Sequence, residues 1–148
     1  MHRILADHDA MITACAFTPD SSYLVSGSTG GDLKLWDSKF GHSKCLLTYP
    51  EAHDLGVAFC DFSSQYQVNG MNKTKDFFWN NIFVFSVSDG PLQSYYILAS
   101  CGNDDLVKLW HIHGGNRYSI TKSHSLKGHS GNVNCCRFST DGSLLVSW

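Results

Sequence analysis

Histidines at 8, 53 and 129 each precede a serine, at 26, 100 and 147, and Asp104 follows the middle serine by four residues. Histidine, serine and an acid are the parts of an acyl-transfer triad, in which imidazole takes the hydroxyl proton and a carboxylate orients the ring. No G-x-S-x-G elbow exposes a serine in this chain, so the residue list alone does not make a hydrolase with His53 and Ser100 at its centre. The six cysteines and eight histidines raise zinc as a second possibility. There is no Cys-x-x-Cys, and the adjacent Cys135 and Cys136 point to opposite faces of a strand, where they cannot share one ion. His111-x-His113 sets two imidazoles on one strand face, yet no third ligand has recognisable spacing. Neither a metal nor any other cofactor is expected.

The elements that hold these residues emerge when the three histidines are placed in register. ITACAFTPDSSYLVSG (12–27), GVAFCDFSSQ (56–65) and VNCCRFSTDGSLLVSW (133–148) then align, with Phe17, Phe62 and Phe138 each nine residues after their histidine. Cys15, Cys60 and Cys136 fall seven residues after it, which marks a small apolar residue packed in each repeat. GDLKLWD (31–37) and DLVKLWH (105–111) close two of the units as alternating strands ending at Trp36 and Trp110. Turns are expected at TPDSS (18–22) and STDGS (139–143), and fourth strands at 44–50 and 118–126.

The first histidine interval is 45 residues, within the ~40–45 of a four-stranded propeller blade, whereas the second is 76. Most of the surplus lies between the first two strands of unit two. The expected organisation is unit one at about 8–50, unit two at about 53–127 with an inserted segment at about 66–94, and unit three at 129–148, all in one partial propeller. The fold class is all-β, with about two and a half blades of four-stranded antiparallel sheet. RILA (3–6) reads as the last strand of a preceding unit, and the run ending at Trp148 as an unfinished third. Open blade faces of this kind favour self-association.

A net charge of −2 and the lack of a Lys/Arg cluster argue against nucleic acid or an anionic membrane as partner. The N-terminal residues lack the apolar core of a signal peptide, which places the expected location in cytoplasm or nucleus. FFWNNIFVF (77–85) is too short to span a bilayer and reads as an inserted, aggregation-prone stretch rather than a docking patch.

His, then Phe-Ser-x-Asp-Gly, then Leu-Val-Ser and Val-Lys-Leu-Trp resembles the WD40 repeat, and more narrowly the propeller region of WD-repeat proteins that carry SAM and U-box domains. The resemblance implies a tetrad in each unit: His53, Ser100, Asp104 and Trp110 in unit two, His8, Ser26 and Trp36 in unit one, His129 and Ser147 in unit three. Gly30 stands at the register position of the acid in unit one, so His8 is expected to lack its orienting carboxylate. The resemblance further implies a non-catalytic protein-interaction scaffold, akin to the substrate- or partner-binding region of a U-box ubiquitin ligase, the ligase chemistry requiring a U-box outside this chain. Partner contacts would fall on the loops around Asp54, Leu55, Ser130 and Asn132. An isoform without stable activity is the alternative.

Overall fold

The computed structural model describes residues 4–38, 45–68, 94–115 and 117–148. Strands β1 (Ile12–Phe17), β2 (Tyr23–Ser28), β3 (Leu33–Asp37) and β4 (Cys45–Tyr49) form one antiparallel sheet in chain order. Strands β5 (Val57–Val68), β6 (Ser94–Gly102), β7 (Val107–His113) and β8 (Ser119–Leu126) form a second of the same topology. A two-stranded sheet pairs β9 (Cys136–Phe138) with β10 (Leu145–Ser147). Each sheet is a blade, and the first strands β1, β5 and β9 lie side by side. This is the architecture of a partial β-propeller.

Local chemistry explains where the first hairpins turn. In unit one the Thr18 hydroxyl and the Ser22 backbone N–H both donate to Asp20 Oδ1, at 2.8 and 3.1 Å. Unit three repeats the device with the Ser139 hydroxyl and Ser143 N–H on Asp141 Oδ1, at 2.5 and 3.1 Å. The Asp carboxylate thus accepts from donors that the tight turn leaves without a backbone acceptor. Unit two shows no such aspartate among the described residues, and its first two strands are longer, β5 having 12 residues and β6 9. Tyr66, Gln67 and Val68 pair with Tyr96, Tyr95 and Ser94 after a register shift beyond Phe62. The two ends of the expected insertion are therefore taken up into β5 and β6, and FFWNNIFVF lies outside the described residues.

Two apolar clusters make the core. The larger joins the blades of units one and two through Val25, Leu33, Leu35, Val57, Leu98, Trp110 and Ile112, all at most 2% exposed. A smaller one, including Ala99, Cys101, Val133 and Cys136, joins unit two to unit three. Gly27 is required at the first junction, because a Cβ there would lie 2.6 Å from Val57 Cγ1. Polar ties finish the second junction. Phe138 N donates to Asp61 Oδ2 at 2.9 Å, and the Ser64 hydroxyl to Thr140 O at 2.7 Å.

Two expectations need correcting. Ile4 to Ala6 form no strand, because no described strand pairs with them, and Ile4 is 83% exposed. Cys15 does not pack as Cys60 and Cys136 do: it is exposed, lining the open groove between β1 and β5 with Phe17, Phe59 and Cys60.

At the edge of the sheets that carries the hairpin turns, Tyr23 meets Tyr96 and Tyr118 edge-on, at centroid distances of 6.2 and 6.0 Å, and Phe62 meets Tyr96 at 6.3 Å. The Tyr96 hydroxyl donates to Asp20 Oδ2 at 3.0 Å, tying the turn of unit one to the second strand of unit two. Burial disfavours the Asp20 carboxylate, but the donors from Ser22, Thr18 and Tyr96 outweigh it and hold its pKa at about 2. Its contribution to stability is complete above the unfolded value of 3.8 and is lost as pH falls towards 2. Tyr96→Phe should lower stability by about 1 kcal/mol at neutral pH and by less at pH 2, measured by urea unfolding. An equal loss at both values would show that the hydroxyl acts elsewhere.

Candidate functional site

The sequence-derived candidates gather at the opposite edge of the sheets. A loop brings His53 against β6 and β7, where its Nε2 lies 2.7 Å from Ser100 Oγ and its Nδ1 2.7 Å from Asp104 Oδ1. Trp110 Nε1 donates to Ser100 Oγ at 2.8 Å. The donors fix one consistent direction: indole N–H to serine oxygen, serine O–H to Nε2, and Nδ1–H to carboxylate. His53 is 1% and Ser100 0% exposed, so every polar atom of the pair has to find its partner within the protein. Gly102 makes room for the ring, since a Cβ there would come within 2.6 Å of His53 Nδ1.

Charge at this site is settled by a residue that the sequence reading passed over. Lys108 Nζ donates to Asp104 Oδ2 at 3.0 Å and to the Ala52 carbonyl at 2.6 Å, the residue just ahead of His53. Unit one repeats the arrangement: Lys34 Nζ donates to the carbonyl of Asp7, just ahead of His8, at 2.8 Å and to its carboxylate at 2.7 Å. Each lysine is the cross-strand partner of the tetrad serine, Lys34 opposite Ser26 and Lys108 opposite Ser100. The signal lies in the repeated Lys-Leu-Trp, where a lysine interrupts an apolar strand. Desolvation lowers the His53 pKa against the pull of Asp104, so the ring is neutral. Burial opposes ionisation of Asp104, but His53 and Lys108 overcome it and the pKa is lowered.

In unit one, His8 Nε2 lies 2.6 Å from Ser26 Oγ, and Trp36 Nε1 donates to that oxygen at 2.8 Å. The acid is supplied after all, by Asp32 rather than from position 30. Asp32 Oδ2 is 2.9 Å from His8 Nδ1. The carboxylate lies off the N–H direction, so Nδ1 has a close carboxylate but no aligned hydrogen bond. Backbone geometry explains the displacement. Gly31 and Asp105 occupy equivalent places and are both left-handed, with φ of 85° and 62°. The acid precedes that residue in unit two and follows it in unit one, and the tight turn delivers both to the histidine. In unit three His129 Nε2 is 2.8 Å from Ser147 Oγ, in an exposed setting.

His53, Ser100 and Asp104 make the bonds of a hydrolase triad, but the serine is fully buried and its oxygen is covered by the indole N–H. The arrangement can hold a loop; it offers no access to an acyl group. His111 and His113 flank Tyr95, with centroid distances of 4.2 and 5.5 Å, and among the described residues no three His, Cys, Asp or Glu side chains form a metal-binding group. Asp54, Leu55, Ser130 and Asn132 are all exposed on the histidine-bearing loops of units two and three.

His53→Ala should cost about 1–3 kcal/mol, because Ser100 and Asp104 lose a buried partner, and His8→Ala less, since its acid is misaligned. A double-mutant cycle of His53→Ala with Lys108→Met should show coupling of about 0.5–3 kcal/mol through Asp104; additive losses would separate the two residues. Because the folded-state pKa of His53 lies below 6.5, the unfolded chain binds more protons just under that pH. Stability should therefore decline as pH falls below 6.5, a slope that His53→Ala reduces, the remainder coming from His111, whose pKa burial also lowers.

The family model "WD domain, G-beta repeat" matches residues 2–37 and 120–147. The WD repeat, SAM and U-box domain-containing protein 1 of Homo sapiens is 39% identical over 70% of this chain, which spans 18% of that protein. Its Danio rerio counterpart is 35% identical over 92% of the chain and 32% of its own length, and Striatin-4 of Homo sapiens 26% identical over 99% and 21%. The chain thus covers less than a third of these relatives. With two four-stranded blades, a His–Ser–Trp network in each and this family match, the chain belongs to the WD40-repeat family.

Proposed function

We infer that the chain serves as a non-catalytic protein-interaction scaffold, whose histidine-bearing loops hold a protein partner. One observation carries this reading: an exposed apolar side chain on a rigidly held loop. Leu55 is 66% exposed, while its carbonyl accepts a bond from Asn103 Nδ2 at 2.9 Å and the neighbouring His53 is fixed on both ring nitrogens. Met11, 70% exposed, projects from the loop of unit one, where its carbonyl accepts from Thr29 N at 2.8 Å. A loop already ordered meets a partner at little further entropic cost. Asp54, Ser130 and Asn132 supply a polar rim to the same surface.

The likeness to proteins named for SAM and U-box domains supports a finer reading, in which these blades hold the substrate or partner of a ubiquitin ligase in cytoplasm or nucleus. In that reading the transfer chemistry belongs to a U-box and not to the blades. Exposed Ile12, Phe17, Leu144 and Val146 make a second copy of the chain an additional partner. Size-exclusion chromatography checks that part, and a monomer at every concentration overturns it.

Leu55→Asp should abolish cross-linking to proteins that the wild-type chain captures, with an unchanged urea midpoint. Undiminished cross-linking would move the binding surface elsewhere. The hydrolase alternative rests on the bond pattern of Ser100, His53 and Asp104. Fluorophosphonate should leave Ser100 unlabelled, and stoichiometric labelling there would overturn the scaffold reading.

A further inference from the structure

Unit three holds the first half of a network that units one and two complete. His129 Nε2 lies 2.8 Å from Ser147 Oγ, as His8 and His53 lie against Ser26 and Ser100. Among the described residues no indole N–H reaches Ser147 Oγ, no carboxylate reaches His129 Nδ1, and no third strand pairs with β10. His129 is exposed, whereas His53 is buried. The backbone shows the same open edge. Ser139 N donates to Leu144 O and Trp148 N to Cys135 O, so Leu144 and Trp148 turn their backbone groups towards β9. Antiparallel alternation then points the N–H and C=O of Leu145 and Ser147 away from β9.

The two complete units specify what fits there. In each, the third strand sets a lysine opposite the tetrad serine and a tryptophan opposite the leucine two residues earlier. These are Lys34 and Trp36 against Ser26 and Leu24, and Lys108 and Trp110 against Ser100 and Leu98. The indole donates to the serine, and the lysine donates to the carbonyl just ahead of the histidine. Ser147, Leu145 and the Gly128 carbonyl hold the corresponding places in unit three. An incoming indole also has a floor to rest on. Trp110 meets Tyr49 of the preceding blade at a centroid distance of 4.9 Å, and Tyr49 pairs with Leu33, the residue before the strand lysine. Its counterpart on β8 is Leu126, which pairs with Val107. Leu126 and Leu145 are both half-buried and pack on the cluster that joins units two and three.

We propose that the free edge of β10 captures an extended segment of another protein, added antiparallel as a third strand and carrying Lys-x-Trp preceded by an acid. The lysine lies opposite Ser147 and donates to Gly128 O. The tryptophan lies opposite Leu145, covers Leu126 and donates to Ser147 Oγ, while the acid meets His129 Nδ1. Main-chain bonds to Leu145 and Ser147 supply affinity, and the two side chains supply selectivity. A second copy would have to surrender β3 or β7, each carrying a tryptophan at most 1% exposed inside a four-stranded sheet, so the occupant is a different chain. Binding at this edge is independent of the loop surface around Leu55.

The probe is the end-blocked peptide Asn-Asp-Asp-Leu-Val-Lys-Leu-Trp-His, the sequence of residues 103–111, titrated calorimetrically into the full chain and followed by amide hydrogen exchange. Saturable binding of one peptide per chain is expected, slowing exchange of the Leu145 and Ser147 amides by at least about tenfold. Trp110→Phe in the peptide removes the indole N–H and should weaken binding about fivefold. Most of that penalty should vanish on a chain carrying Ser147→Ala, because the acceptor is gone. No saturable binding, protection confined to β4 or β8, equal affinity of the two peptides for the wild-type chain, or an undiminished penalty on Ser147→Ala overturns the proposal.

Discussion

A histidine hidden between two sheets costs stability for each ring nitrogen left without a partner, and the histidine-bearing edge of units one and two is arranged around that demand. His53 resolves it with a hydroxyl on one side and a carboxylate on the other. Because desolvation keeps the ring neutral, the carboxylate of Asp104 is itself a buried charge without a cation in the histidine. Lys108 is that cation, and its third-strand position brings it under the loop, where it also fixes the Ala52 carbonyl. One ion pair therefore bridges loop, turn and strand, and the geometry of the loop follows from the need to pair two charges out of water.

Unit one solves the same problem with the charges redistributed. Its lysine pairs with Asp7 on the loop itself, leaving Asp32 to face His8 without a shared cation. Asp32 is steadied instead by the Ser28 hydroxyl, and its side chain is 20% exposed against 7% for Asp104. Partial solvation relaxes the requirement for a lysine bridge. The two blades thus share a shape while differing in how tightly their loops are tied to the turn.

The spacing of Phe, Ser and Trp made the blades and the serine–indole contacts legible in the sequence, because those residues sit in strands with a fixed two-residue period. Residues in turns were not equally legible. Asp32 escaped the register because a left-handed residue can deliver an acid from either side, which a position-by-position alignment treats as a mismatch. Lys34 and Lys108 escaped because a charged residue in a strand usually faces solvent, whereas here a long side chain runs beside the serine to reach a buried carbonyl. Cys15 shows the converse error, since a repeated position does not carry a repeated environment.

The two edges of the molecule are held by different chemistry, and this separates their responses to acid. The loop edge depends on a neutral histidine whose folded-state pKa lies below 6.5, so its contribution to stability is lost as pH falls from 6.5 through that lowered value. The turn edge depends on aromatic packing and on the Asp20 carboxylate, which stays ionised down to about pH 2. Between those limits the Tyr23, Tyr96 and Phe62 contacts keep units one and two joined while the loop carrying Leu55 loses the network that orders it. Mild acid would consequently raise the entropic cost of partner binding at the loops before it separates the blades, because the contribution of His53 is lost from pH 6.5 downward and that of Asp20 only from 3.8 downward.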